Sequence, residues 1–153
     1  MQPYRRRINV RGIIYKNGQL LCQQLKPRAD EAPRDYWCTP GGGLDDGESL
    51  HQGLHREMIE ETGIAPKVGK LLFVQQFHDG TKEQLEFFFH IENPDDYEVI
   101  DLASTSHGEA EISKVAFIDP KQHTVLPNYL TTIDIQASID GKAPVLVDSE
   151  LPK

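Results

Sequence analysis

The chain has 153 residues, of which 38% are apolar and 26% charged, and its formal net charge at pH 7 is −8. These values are typical of one globular domain, residues 1–153, whose core needs no disulfide or structural metal. The charge argues against binding to a nucleic acid polymer or an anionic membrane, and a phosphate-bearing substrate would need a divalent cation beside it.

The cysteine content and the N-terminal sequence both favour a cytoplasmic protein. Cys22 and Cys38 are the only cysteines, and nothing about them suggests a disulfide framework. The segment MQPYRRRINV lacks the apolar region of a signal peptide. No stretch approaches the roughly 18 apolar residues of a membrane helix.

The first elements predicted along the chain form a β-hairpin. Ile8, Val10 and Ile14 alternate with other residues, which indicates a strand. Asn17 and Gly18 then form a typical hairpin turn, because both tolerate positive φ angles. The elements predicted next are a return strand over 20–25, a polar loop over 26–35, a short strand over 36–39 and irregular backbone over 40–43.

A helix is predicted next, with Ser49 as its N-cap and Gly63 as the residue that ends it. Gly53 in its interior costs about 1 kcal/mol relative to Ala, which indicates either close packing or a tolerated weakness. The predicted apolar stripe comprises Leu50, Leu54, Met58 and Ile59.

The second half predicts more strands and one further helix. The strand over 85–91 has apolar residues on both faces, so we expect it to be central and buried on both sides. Leu126, Tyr129, Leu130, Ile133 and Ala137 have helical spacing. The other predicted elements are a strand over 68–77, a turn at 79–80, a polar loop over 93–108, a strand over 112–118 and an edge strand over 145–147. The expected fold is an α/β sandwich with a mixed, partly antiparallel sheet between helices.

The predicted helix over 49–63 gathers three carboxylates on one side. Glu57, Glu60 and Glu61 are spaced so that each like-charged pair costs roughly 0.2–0.5 kcal/mol. A solvated acidic face is one explanation, and a bound cation is the other. Oxygen ligands favour Mg²⁺, Mn²⁺ or Ca²⁺ over zinc. His51 and His55 have a spacing compatible with zinc, but no third ligand is evident, so we interpret them as solvated.

The segment from Gly42 to Ile64 matches the pattern G-x5-E-x7-R-E-U-x-E-E-x-G-U, in which U is a bulky apolar residue. The chain therefore resembles the Nudix family, and the preceding WCTPGGG segment is similar to the strand and loop before that box. Every defined position is met, by Gly42, Glu48, Arg56, Glu57, Met58, Glu60, Glu61, Gly63 and Ile64.

The resemblance implies a Nudix-type fold and the Mg²⁺-dependent hydrolysis of a diphosphate bond, with Mn²⁺ as an alternative ion. Its substrates are nucleoside diphosphates linked to another group X. The resemblance makes Glu57 and Glu61 the main metal ligands, and Glu60 completes the site. The backbone carbonyl of Gly41 would reach the same ion.

The resemblance also assigns catalytic roles around the metal. Arg56 would orient the glutamates and pair with Glu48, because its planar guanidinium binds carboxylates through two hydrogen bonds. The general base would be Glu57, or a glutamate of the late loop, for which Glu109 and Glu111 are the candidates. Either late glutamate could instead be a solvated residue at the start of a strand.

The sequence says less about the group X. The proline that marks the ADP-ribose subgroup is replaced by Asp79-Gly80, and Lys82 lies where dinucleoside polyphosphate hydrolases tend to have a tyrosine. The coenzyme A signature is not apparent either. A nucleoside triphosphate pyrophosphohydrolase remains as the default. The alternatives are a catalytically silent nucleotide-binding or regulatory module and, through Cys38, an isoprenoid diphosphate isomerase. Nudix proteins are often dimers, so a homodimer is possible.

Two further groups of residues are candidates for substrate binding. The aromatic residues could stack on a base, for about 1–3 kcal/mol each, or belong to the core. The arginines could meet phosphates, or shield an edge strand, which we favour. The aromatic candidates are Tyr36, Trp37, Phe77 and Phe88, and the arginines are Arg5, Arg6, Arg7 and Arg11.

Overall fold

A computed structural model describes residues 5–152 of the chain. The strands are β1 (Arg6–Ile13), β2 (Tyr15–Lys16), β3 (Gln19–Leu25), β4 (Trp37–Cys38), β5 (Gly41–Gly43), β6 (Val68–His78), β7 (Glu83–Ile91), β8 (Ile112–Ile118), β9 (Val125–Leu126) and β10 (Leu146–Glu150). The helices are α1 (Leu50–Thr62), α2 (Gly108–Glu111) and α3 (Ile135–Ile139), with single 3₁₀ turns at Pro94–Tyr97, Leu102–Ser104 and Asn128–Thr131. No helix among residues 5–152 is long and apolar enough to cross a membrane.

The strands form two sheets, and the larger one organises the molecule. Its five strands lie in the order β10-β6-β7-β1-β5. β1 is parallel to β7, and β10 is parallel to β6, whereas the β6–β7 and β1–β5 pairs are antiparallel. The mixed, partly antiparallel sheet is therefore confirmed, and β7 is its central strand. The second sheet has the order β2-β3-β4-β9, with β8 paired to β3.

The local turn and cap predictions agree with the structure. Asn17 and Gly18 have φ angles of 53° and 78°, as the hairpin turn between β2 and β3 requires. Ser49 caps α1 in a capping box with Gln52, in which each side chain accepts the other residue's backbone N–H. Gly63 ends the helix with a φ of 76°, and its N–H donates to the Ile59 carbonyl.

α1 packs on one face of the larger sheet. Leu54 and Met58 are fully buried against Val10 and Ile14 of that face. A Cβ atom on Gly53 would collide with the Leu44 side chain, so close packing explains this glycine. The inclusion of Ile59 in the apolar stripe is wrong, because its side chain is 40% exposed.

Three predictions about the backbone are wrong. The segment from Pro40 to Gly43 is not irregular, because Gly41–Gly43 forms β5 and pairs with β1. The second helix is absent from the described residues, since 126–137 contains a 3₁₀ turn and then α3. Asp134 caps α3 by accepting the Ala137 N–H, which starts a new helix inside the predicted one. The edge-strand explanation of the arginines also fails at Arg11, because β1 has a partner on each side over Asn9–Arg11.

Candidate metal and substrate site

Glu61 lies on the side of α1 that faces the glycine strand β5. Its side chain is buried, and its Oε2 accepts the Gly41 backbone N–H at 2.9 Å. Burial, followed by the nearby charge of Glu57, raises the pKa of Glu61 to about 8. A cation beside these carboxylates would relieve both effects.

Glu57 lies one helical turn before Glu61 and touches the next glycine of β5. A Cβ atom on Gly42 would lie 2.7 Å from Glu57 Oε2, so only glycine leaves room for the carboxylate. Burial raises the pKa of Glu57, and the charges of Glu60 and Glu111 add to the rise. Glu57 and Glu61 therefore both contact the glycine strand β5, which has no side chains there.

Arg56 holds the remaining acidic groups of the box together. Its Nε and Nη2 donate to the two oxygens of Glu48, each at 2.8 Å, so the expected ion pair is present. Its Nη1 donates to Glu57 at 3.1 Å and to Glu60 at 3.0 Å, and Nη2 also donates to the Gly43 carbonyl at 3.0 Å. Hydrogen bonds from Arg56 lower the pKa of Glu48 to about 2. Arg56 thus acts as the counter-ion of this cluster.

The donor set fits a hard divalent cation. Within residues 5–152 no three His, Cys, Asp or Glu side chains already converge as a metal cage, and Arg56 donates hydrogen bonds to both Glu57 and Glu60. The available ligands are nevertheless carboxylate oxygens, which such ions prefer. Because Gly42 has no side chain, the Glu57 carboxylate lies against β5, which is also the strand that Glu61 contacts.

The two late-loop glutamates differ in their surroundings. α2 lies beside α1, because the His107 N–H that precedes α2 donates to the Glu60 carbonyl at 2.9 Å. Glu111 lies near enough to Glu57 to raise its pKa. Both glutamates are exposed, and the Glu109 backbone carbonyl accepts a hydrogen bond from Lys26. The structure therefore brings Glu111 toward the acidic cluster.

A cleft of about 700 Å³ opens on the face of the larger sheet opposite α1. Its floor consists of the β1 and β7 residues that alternate with the core residues beneath α1. The floor residues are Arg7, Asn9, Arg11, Gln84 and Glu86. At the edge of the cleft, a Cβ atom on Gly43 would lie 2.7 Å from the Arg7 Nε, so β5 borders the cleft as well as the glutamates.

The four aromatic candidates separate into two groups. Tyr36 and Phe77 line the cleft. Phe88 does not, because it is fully buried and packs against Phe73 in the core. Trp37 packs against the same core and meets the His123 ring edge-on at 6.1 Å between centroids. The prediction of a substrate contact is therefore wrong for Phe88, and the structure gives Trp37 a packing role.

Of the floor residues, Arg7 and Arg11 were named as candidates from the sequence, whereas Asn9, Gln84 and Glu86 were missed. Asn9 Nδ2 donates to Gln84 Oε1 at 2.7 Å and to Glu86 at 3.3 Å, and Arg11 Nε donates to Glu86 at 2.6 Å. Polar residues alternate with apolar ones in both strands, and this pattern was the available signal. The alternation could not indicate that the polar residues of β1 and those of β7 lie on the same face of the sheet.

The histidine pair has no sign of a metal site among the described residues. His51 and His55 are both exposed on α1. The His51 ring packs against Phe89 with 5.0 Å between centroids. These contacts agree with the interpretation of a solvated helix surface.

Comparisons with known proteins bear on the whole arrangement. A family model described as the NUDIX domain matches residues 5–136. An RNA pyrophosphohydrolase from Pasteurella multocida is 42% identical over 43 residues, which are 28% of this chain and 22% of that protein. An ADP-ribose pyrophosphatase from Methanocaldococcus jannaschii is 36% identical over 72 residues, 47% of this chain and 41% of that protein. The matches thus span about a fifth to two fifths of these curated relatives.

A solved structure supports the fold over nearly the entire chain. The MutT protein from Methanosarcina mazei superposes with a TM-score of 0.69 and covers 94% of this chain and 100% of its own. The two sequences are 22% identical, so this similarity concerns the fold alone.

Proposed function

Because the chain belongs to the NUDIX family, we propose that it is a hydrolase that cleaves the P–O–P bond of a nucleoside diphosphate linked to another group. The observation that carries this proposal is the meeting of Glu57 and Glu61 at the glycine strand β5, whose other side borders the cleft. A diphosphate at this border would lie between the carboxylates and a cavity large enough for a nucleoside.

Members of the family generally use a divalent metal, and we propose Mg²⁺ here, with Mn²⁺ as a possible substitute. Glu57 and Glu61 would hold it, with support from Glu60 and the Gly41 carbonyl. The bound ion would polarise the diphosphate and neutralise the charge that develops on the leaving group. Arg56 would keep Glu57 and Glu60 oriented through the hydrogen bonds that it already makes.

We propose that Glu57 or Glu111 takes the proton from the attacking water. Both late glutamates are exposed, and the position of Glu111 near Glu57 supports it over Glu109. Glu111→Gln is the deciding variant, since the loss of a general base typically costs about 10²–10⁴ in rate, whereas Glu57→Gln also removes a metal ligand and is slow in either case.

For the substrate we propose a nucleoside triphosphate. The names of the relatives add ADP-ribose and RNA ends to the candidates. A catalytically silent module is not favoured, because every glutamate of the box is present. We also propose a single-domain, cytoplasmic protein, which the two free, buried cysteines support.

The test is a substrate screen in the presence of Mg²⁺ or Mn²⁺, read as released phosphate and pyrophosphate. The panel contains nucleoside triphosphates, oxidised nucleotides, nucleotide sugars, ADP-ribose, NADH, dinucleoside polyphosphates and a 5′-triphosphorylated RNA. Metal-dependent turnover of one class would support the proposal and identify X. If no substrate reacts but the metal still raises the Tm, the metal site is present, and either the panel lacks the substrate or the protein binds without catalysis. If neither occurs, the assignment of the glutamates is wrong.

A further inference from the structure

The cleft has two arginines at one end, one of them paired with Glu86, and two carboxylates without such a partner among the described residues at the other. β1, next to the glycine strand, contributes Arg7 and Arg11, whereas β10, at the far edge of the sheet, contributes Asp148 and Glu150. Strands β7 and β6 lie between them, so β1 and β10 are three strand spacings apart. At about 4.8 Å per spacing, the two ends are separated by roughly 14 Å.

At the β1 end of the cleft, which we call the inner end, Arg7 is the cation that remains available. Arg11 is engaged by Glu86 at 2.6 Å and by the Thr39 carbonyl at 2.8 Å. No hydrogen bond or ion pair joins the Arg7 guanidinium to another residue within 5–152. Since Arg7 lies against Gly43, it is next to the strand that borders the glutamates.

The opposite end of the cleft, which we call the outer end, is formed by β10. Leu146, Asp148 and Glu150 alternate with residues that face away, and all three line the cleft. In the described part of the chain, neither Asp148 nor Glu150 has a hydrogen bond or an ion pair through its side chain. β10 pairs in parallel with β6 and lies beyond residues 5–136, so the family match does not account for it.

The floor between the two ends also presents an acceptor. Asn9 is 3% exposed, and its Oδ1 has no hydrogen-bond partner. Its orientation is fixed because both Nδ2 hydrogens have acceptors, Gln84 and Glu86. Gln84 is itself fixed, since its Nε2 donates to Asp79 at 2.8 Å. Because Asn9 lines the cleft and no described residue supplies this donor, a ligand bound there is one source of it.

We propose that the cleft selects its substrate by charge. The diphosphate lies at the Arg7 end, and the β10 end takes a neutral group rich in O–H and N–H donors, such as a nucleoside with no further phosphate. A phosphate on that nucleoside would face Asp148 and Glu150 and be repelled. The cleft therefore disfavours RNA and other nucleotides that carry an additional phosphate. This inference rests on the proposed function, which it refines to a substrate class.

The experiment compares a nucleoside 5′-triphosphate with the same molecule bearing a 3′-phosphate. We expect the wild type to favour the first in kcat/KM by at least about tenfold, because like charges brought together strongly disfavour a wrong partner. The double variant Asp148→Asn and Glu150→Gln should reduce this preference to about twofold, mainly through better use of the phosphorylated nucleotide. The matched control is Glu92→Gln, an exposed carboxylate beyond the other end of β7, which should keep the wild-type preference.

The outcomes separate this inference from the proposed function. An equal preference in the double variant and the wild type, or no preference in the wild type, overturns the inference. If neither nucleotide is hydrolysed, Kd is measured with Ca²⁺ in place of Mg²⁺. A preference in Kd that the double variant loses supports the inference while counting against triphosphate hydrolysis. Turnover of another substrate in the screen, with no binding of either nucleotide, overturns the inference and leaves the hydrolase function standing.

Discussion

The glutamate cluster and the cleft lie on the two sides of one short strand, but they are assembled in opposite ways. The cluster is formed almost entirely by the 23 residues from Gly42 to Ile64, so its members are neighbours in sequence. The cleft collects residues from Arg7 to Glu150, which the pairing of β1, β7, β6 and β10 and the packing of the second sheet bring together. We infer that the reaction is encoded locally and the choice of substrate is encoded by topology.

The largest expected effect concerns the glutamate cluster, whose residues are neighbours in sequence. Glu57→Gln and Glu61→Gln should each lower kcat by at least about 10²–10³-fold, as when one charge-stabilising group is removed from an active site. Without metal, neither variant should be less stable than the wild type, since the repulsion between the two carboxylates is relieved. Turnover measurements and thermal melts in chelator test both statements.

The control for these variants is His55→Gln, an exposed change on the same helix that should leave kcat unchanged. Normal turnover in both glutamate variants would contradict the assignment of the site.

The next prediction distinguishes the glutamate side of β5 from its cleft side. In Gly42→Ala the new Cβ would displace the Glu57 carboxylate, and in Gly43→Ala it would displace the Arg7 guanidinium. We expect Gly42→Ala to lower kcat by about 10²-fold, the scale of a misplacement of about 1 Å, with little change in KM. Gly43→Ala should instead raise KM. If both variants change the same parameter, the strand does not separate chemistry from binding.

A smaller effect is expected from the cation at the inner end of the cleft. Arg7→Ala should raise KM about tenfold and leave kcat nearly unchanged, because one charge-assisted contact to the substrate is lost. Arg5→Ala removes the same charge from an exposed residue outside the cleft and should change KM by less than about twofold. Steady-state kinetics of the two variants at one ionic strength provide the test, and an equal change in both would indicate a general charge effect.

The smallest effect concerns the loop at the outer cleft. Hydrogen bonds from the backbone N–H groups of Lys82 and Thr81, and then from the Gln84 side chain, lower the pKa of Asp79 to about 2. The ordinary pKa of aspartate is about 3.9, so the folded state binds this proton more weakly than the unfolded state. The stabilisation is complete above that value and is lost as the pH falls toward about 2.

Asp79→Asn lacks this contribution at every pH. Its Tm should therefore be lower than that of the wild type near neutral pH, and the difference should shrink as the pH falls below about 4. Melting curves over this range test the prediction. A difference in Tm that stays constant down to the lowest pH would contradict the role of these hydrogen bonds.

The sequence predicted most accurately the elements that are specified by neighbouring residues. The cap at Ser49, the end at Gly63 and the turn at Asn17 follow from local backbone chemistry. β7 was identified as central because its apolar residues occur on both faces. Within the site, the ion pair between Arg56 and Glu48 was predicted from the motif and is present in the structure.

Apart from Ile59 of α1, the errors concern residues whose structure depends on parts of the chain beyond their immediate neighbours. Glycines have low strand propensity, so β5 was recognisable only through its pairing with β1. The spacing from Leu126 to Ala137 imitates one helix, but the chain forms a 3₁₀ turn that buries Leu130 and then a separate helix, α3, that begins at Ile135. Nothing in the sequence indicated that Phe88 faces the core whereas Asn9 lines the cleft.

Trp37 gives this molecule a built-in spectroscopic probe. It is the only tryptophan of the chain, so its fluorescence reports on a single position. The neighbouring residues Tyr36 and Cys38 both line the cleft, while the indole itself packs against His123 and the core. Ligand entry that shifts β4 would therefore change the emission of an otherwise shielded ring. Binding can be followed in the unlabelled protein, before any substrate has been turned over.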